Sequence, residues 1–376
     1  MTINHESIGK SAIRCAAIAI LLVFPALSQA QVRTVLVSPV PGNPVASGTA
    51  LRSALANIPS PSSTNPWLLK IEPGIYDVQI NPLQMRSWVS IEGSGIEATT
   101  IRGNVGSDLS HVPAVYAGTV QGADNAELRN LTVENIGSGE HRVAMLNLAT
   151  SPRVYRVRLV TQDNENKSLW GMLNLGFGGG GAPTLEEIEV RVTGGGWPVG
   201  IEYQGTEIYS ELHRSRIVVL GGTTQSAGIQ MTFGRLHRIR DTVIETYFGA
   251  SASGIYVLAT NPPQDLWLTN TSIISSSSGN SNYGIYCNAA ITLNVATSQI
   301  SVGNQFQAIG IRQIQTNGPV IVLNSHILAG NGVVSSNGIV NISNSVLIGG
   351  PVTAGLKGCF GVLDEAGIFY TGTCPP

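Results

Sequence analysis

Residues 128–133 read Leu-Arg-Asn-Leu-Thr-Val, and this six-residue pattern returns along most of the chain. An apolar residue is followed three places on by an apolar or small hydroxyl residue, and two places later by another apolar residue. The first position falls at Leu128, Val154, Leu185, Leu212, Ile239, Leu268, Val295, Val322 and Ile342. The second falls at Leu131, Val157, Ile188, Ser215, Thr242, Thr271, Ser298, Ser325 and Ser345. The third runs from Val133 to Leu347 and is apolar throughout. The steps span 20 to 31 residues, and most lie between 26 and 29. A second marker keeps time with the first: Gly-Ile at Gly200-Ile201, Gly228-Ile229, Gly254-Ile255, Gly284-Ile285 and Gly310-Ile311.

Each unit therefore holds at least two short strands separated by Gly- and Ser-rich turns, with no amphipathic helix. Short strands at a fixed period predict an all-β solenoid, a single-stranded parallel β-helix with one coil per repeat. A β-propeller is the competing architecture. Its units run to about 40 residues or more with four strands each, which this period does not supply. About ten coils are expected.

Composition narrows the functions. Charged residues are 12% of the chain and glycines number 44, which suits a β-rich fold full of tight turns. The net charge is −2, and no basic stripe argues for nucleic acid. The first thirty residues have the form of a secretory leader: Lys10 and Arg14, an apolar run from Ala16 to Leu27, then Ser28-Gln29-Ala30. Twelve apolar residues are too few to span a bilayer. Cleavage near Ala30 is expected, giving a secreted, periplasmic or cell-surface protein that begins near Gln31. Cys359 and Cys374 are expected to pair in an oxidising compartment, and Cys287 to fill space inside the coil.

The expected division is a leader at 1–30, an N-terminal cap with the first coils at 31–105, β-helix repeats at 106–350 and a C-terminal cap at 351–376. Gly48 to Ile58 reads as a helix, with Leu51, Ala54, Leu55 and Ile58 on one face, capped by Ser47 or Thr49 and ended by Pro59. It would cover the open first coil. Phe360 to Leu363 and Ile368 to Tyr370 read as a closing hairpin.

Three segments near the N-terminus carry a family resemblance. Leu69-Lys-Ile-Glu-Pro-Gly-Ile-Tyr76, Val89-Ser-Ile-Glu-Gly-Ser-Gly95 and Thr100-Ile-Arg-Gly103 resemble the opening of pectin methylesterases. The resemblance covers roughly residues 34 to 103 and implies the pectin-lyase-like, right-handed parallel β-helix superfamily. It also implies a Gln-Asp pair, matched by Gln162-Asp163, and a second aspartate motif about one coil later. That coil instead reads Leu185-Glu-Glu-Ile-Glu-Val190. Without a second aspartate the acid/base and nucleophile roles cannot both be filled. Pectin methylesterase activity is therefore not expected.

Stacked coils can be read vertically. Arg156 and Arg158 fall over Glu187 and Glu189, and these over Arg214 and Arg216, an alternation that predicts an ion-pair ladder. After each Gly-Ile the next residue points outward, giving the column Glu202, Gln230, Tyr256, Tyr286, Arg312. Aromatic and polar groups in one row suit a polysaccharide or cell-surface glycan; they suit sheet stabilisation as well. Gln230, Tyr256, Tyr286 and Arg312 are the expected binding residues, and Asp163, Glu202 and Asp241 the candidate catalytic acids. Trp170 and Trp197, near coil corners, could extend the face or simply pack. No metal spacing and no cofactor motif occurs, and a monomer is expected. Two functions fit: polysaccharide recognition or processing, as hydrolase, esterase or lyase if an enzyme, and a non-enzymatic extracellular scaffold or adhesin.

Overall fold

The computed structural model describes residues 32–375, apart from 108–116, 138, 177–180, 206–208, 233–235, 259–263, 278, 280, 304–306 and 316–317. The expected leader lies outside the described residues. The chain winds as a right-handed parallel β-helix. Each regular coil contributes one strand to each of three sheets. In the first sheet Tyr209–His213, Leu236–Arg240, Gln264–Thr269 and Ile291–Ala296 stack in parallel. In the second, Arg216–Leu220, Val243–Tyr247, Ser272–Ser276 and Gln299–Val302 do the same. In the third, Trp197–Gln204, Gln225–Met231, Ser251–Val257, Ser281–Cys287 and Ala308–Gln313 continue the series. Sheets buried from within explain the unbroken apolar markers, which join one core cluster from Leu128 to Leu347.

The corner between the first and second sheets explains the second position of the repeat. The residue before it takes a left-handed backbone in every coil: Asn130, Arg156, Glu187, Arg214, Asp241, Asn270, Thr297, Asn324 and Asn344 all have φ between 47° and 55°. Such a conformation is costly for any residue but glycine, and least so for Asn and Asp. A hydroxyl ladder secures it. Ser298 Oγ donates to the Ala296 carbonyl at 2.8 Å and accepts from the Thr271 N–H of the preceding coil at 3.1 Å. Ser325 repeats this with Leu323 and Ser298, and Ser345 with Ser343 and Ser325. Buried backbone groups at the bend are thus satisfied by an inward side chain.

The Gly-Ile marker has a steric cause. A Cβ on Gly254 would lie 2.2 Å from Ile273 Cγ2 and 2.7 Å from the Gly284 carbonyl; Gly200, Gly228, Gly284 and Gly310 meet the equivalent atoms. The third sheet passes so close over the second that only glycine fits.

Nine left-handed corners bound about eight regular turns, fewer than the ten expected. The difference lies at the ends. Coils ahead of Asn130 turn differently, and the last strand, Leu356–Leu363, belongs to the closing hairpin with Phe369–Thr371. Cys359 and Cys374 are bonded there. At the other end the helix spans Pro44–Ala56, starting four residues before the expected Gly48. Asn43 caps it, its Oδ1 accepting from the Ala46 N–H at 3.0 Å, and Pro44 occupies the first turn, where a missing N–H costs nothing. Ser47 instead donates to the Asn43 carbonyl from inside the first turn. Leu51, Leu55 and Ile58 join the core as expected.

Candidate functional site

The outward column of the third sheet forms in register. Glu202 pairs with Gln230, Gln230 with Tyr256, Tyr256 with Tyr286 and Tyr286 with Arg312. Tyr256 and Tyr286 stack with centroids 5.1 Å apart and planes 11° from parallel. Tyr283, one column over, tilts against Tyr286 at 4.9 Å, and Arg312 Nη1 donates to the Tyr283 hydroxyl at 2.9 Å. The facing ring surfaces of Tyr256 and Tyr286 cover one another. What this stretch offers a ligand is ring edge, phenolic oxygen and guanidinium.

An open ring face occurs two coils earlier. His141, Ser168, Trp170, Leu173, Trp197, Glu202, Gln204 and Gln230 line a cleft of about 260 Å³. The third sheet positions the floor, since Trp170 opposes Val199 and Leu173 opposes Glu202. Trp197 stands at the rim, 38% exposed. Glu202 is only 6% exposed. Its Oε2 accepts from Trp170 Nε1 at 2.6 Å, and its Oε1 from Gln230 Nε2 at 3.1 Å and Thr232 Oγ1 at 3.2 Å. Burial pushes the Glu202 carboxyl above the usual carboxylate range, and the three donors only partly offset this.

The other two candidate acids stand elsewhere. Asp163 ends the strand Arg153–Asp163 and lines a separate cleft with Arg142 and Gln162. Its Oδ2 lies 3.2 Å from Arg142 Nη2 as a buried ion pair without an aligned hydrogen bond. Asp241 is an exposed left-handed corner residue whose Oδ1 accepts from Asn270 Nδ2 at 2.6 Å. Of the seven expected site residues, the structure aligns Glu202, Gln230, Tyr256, Tyr286 and Arg312 on one face and leaves Asp163 and Asp241 off it. Among the described residues, no group of three or more His, Cys, Asp or Glu could hold a metal ion.

No family model and no curated protein matches the chain. Solved structures do. A mannuronan C-5 epimerase A-module from Azotobacter vinelandii aligns over 86% of this chain and 97% of its own, at 13% identity and a TM-score of 0.46. A pectin methylesterase in complex with a hexasaccharide aligns over 63% of this chain and 84% of its own, at 12% identity and a TM-score of 0.40. The Dettilon tailspike protein aligns over 86% and 68%, at 11% identity and a TM-score of 0.44.

Thr232 was not among the expected site residues and Trp170 was expected only as an extension of the face, yet both hold Glu202. The signal for Trp170 was its place two before the residue aligned with Ile201, beside the Gly column. There the strand breaks strict alternation, and a second row of side chains turns outward with Val143, Trp170 and Val199.

Proposed function

We propose that this protein recognises polysaccharide along the outward face of the third sheet, one sugar unit seated in the Trp170–Trp197–Glu202–Gln230 cleft. The cleft carries the reading. It pairs an apolar indole face, which suits the C–H surface of a pyranose, with a carboxyl and an amide that suit its hydroxyls. Tyr256, Tyr286 and Arg312 extend the polar row for further units. Glu202 is the one acid lining the cleft among the described residues. A neutral carboxyl there would donate a proton to a departing oxygen, but among the described residues no second carboxylate lines the cleft to act as base or nucleophile. The reading is therefore recognition first, with Glu202 the residue to test for catalysis. An extracellular or periplasmic location fits the expected leader, and the Cys359–Cys374 bond is compatible with it. Among the described residues no helix is long and apolar enough to cross a membrane.

The second reading, a rigid scaffold, is favoured by the ion-pair ladder. Arg156 bonds Glu187 at 2.6 Å, Arg158 bonds Glu189 at 2.8 Å and Arg214 reaches Glu187 at 3.2 Å. Arg216 departs from the expected pairing and binds Glu245 at 2.7 Å on the far side.

A glycan-array screen of the mature chain, with product analysis on every polysaccharide retained, tests the proposal. Binding that Trp197→Ala weakens about tenfold or more, at unchanged melting temperature, supports the cleft. Release of product that Glu202→Gln abolishes would make the protein an enzyme. Retention unaffected by Trp197→Ala, Glu202→Gln and Tyr256→Ala would remove the face from the function, and no retention at all would favour the scaffold.

A further inference from the structure

The charge ladder on the first sheet stops at one rung, and a second cleft opens beside that rung. Elsewhere the guanidiniums find carboxylates on neighbouring rungs: Arg153 bonds Glu127 at 3.0 Å and Glu186 at 2.8 Å, and Arg129 bonds Glu92 and Glu127. Arg238 and Arg240 share one strand, both pointing outward, and the register sets Trp267 opposite Arg238 and Thr269 opposite Arg240. No carboxylate occupies either position. Arg238 Nη1 comes only to 3.7 Å of Glu211 Oε1, a carboxylate that also sits 3.2 Å from His213. Arg240 Nη2 lies 3.4 Å from His213 Nε2. Arg238, Arg240, Trp267 and Thr269 line a cleft of about 280 Å³. Trp267 is 45% exposed, a large indole surface left to solvent beside the arginine rung. On the next rung, opposite Trp267, Asn294 is buried with its Nδ2 lacking a hydrogen-bond partner among the described residues.

We infer that the Arg238–Arg240–Trp267 cleft is a second binding site, distinct from the third-sheet face, that takes one acidic sugar unit, carboxylated or sulfated. The two guanidiniums, planar and always charged, converge on an anionic substituent. The indole takes the apolar face of the ring that carries it. The cleft is large enough for a single sugar ring. The contacts to Glu211 and His213 are long, at 3.7 Å and 3.4 Å, and each guanidinium carries five N–H donors, so both can still bond an added anion.

The test uses the mature chain and three matched tetrasaccharides: uncharged, 6-sulfated, and ending in uronate. Titration is followed by calorimetry and by tryptophan emission. The charged tetrasaccharides should bind, and Trp267→Ala or Arg238→Ala/Arg240→Ala should each weaken them about tenfold or more. Arg238→Lys should recover part of the loss. Raising salt from roughly 50 to 300 mM should weaken the charged ligands and leave the uncharged one alone. Trp197→Ala should not affect this binding, so failure here and failure at the third sheet are told apart. Equal binding of charged and uncharged sugars, or charged-sugar binding indifferent to the Trp267 and arginine variants, would overturn the inference. So would tighter binding of poly-glutamate, which would assign the cleft to an acidic protein.

Discussion

At the scale of single residues, buried polar groups are only partly answered by their neighbours. His237 is the clearest instance. It lies in the core on the first sheet, its Nδ1 2.5 Å from Ser210 Oγ and its ring 4.8 Å from Tyr203. Burial alone depresses its pKa to about 4, from the ordinary 6.5. The unfolded chain therefore takes up a proton near pH 6.5 that the folded chain refuses until about pH 4. Stability is complete above the upper value and falls as pH drops through the window. Urea unfolding at pH 7.5 and pH 4.5 should show His237→Asn losing ~2.5 kcal/mol less than the parent chain. Equal losses in the two proteins would mean the imidazole is hydrated or charged in the fold. Cys287 is the apolar counterpart. It is buried, its thiol is pushed upward by desolvation, and it fills space as its spacing from Ile285 implied.

At the scale of elements, the features the repeat displays and those it hides have different physical origins. The inward markers were legible, since burial on one face leaves an apolar imprint every coil. So was the third-sheet column from Glu202 to Arg312, because alternation after Gly-Ile fixes which side chains turn out. The hydroxyls at Ser298, Ser325 and Ser345 were visible as a pattern but not as a mechanism. Their meaning depends on a left-handed corner that Thr297 or Arg214 would not suggest from residue type. The clefts were hidden for a similar reason. Trp170 reaches Glu202 across a coil boundary, and Trp267 stands over Arg238 one place before the Leu268 and Ile239 markers, where residue type alone marks no cleft. The glycine marker makes a sharp prediction at this scale. Gly254→Ala would drive a methyl into Ile273 Cγ2 and the Gly284 carbonyl and should cost about 1–3 kcal/mol. Gly332→Ala, in the same sheet but with its nearest neighbour 3.8 Å away, should be nearly neutral. Matching melting temperatures for the two variants would show that the sheets can slide apart.

For the whole molecule, stability is a chain of nearest-neighbour contacts with two distinct ends. The N-terminal end is covered by Pro44–Ala56 and the C-terminal end by the hairpin that Cys359 and Cys374 close. Asp364 reinforces that turn, its Oδ1 accepting from the Ala366 and Ile368 N–H groups and its Oδ2 from the Tyr370 hydroxyl. Reducing the disulfide should therefore loosen one end and not the middle. Hydrogen exchange should quicken in Leu356–Leu363 and Phe369–Thr371 while Ser251–Val257 keeps its protection. Uniform acceleration along the chain would show that the cap governs global unfolding. The hydroxyl ladder has one more consequence. At Ser215, Ser298, Ser325 and Ser345 the corner hydroxyl donates within its own coil and accepts from the coil before, so these coils present the same socket and the same plug. Excision of residues 270–296 would set Thr297 on Asp241 and Ser298 on Thr242, where Ser298 Oγ would meet the Thr242 N–H as it now meets that of Thr271. A protein built this way can lengthen or shorten by whole coils, and the spacing between its two faces can be reset by genetic deletion, with the Asn270–Asp241 bond lost at that corner.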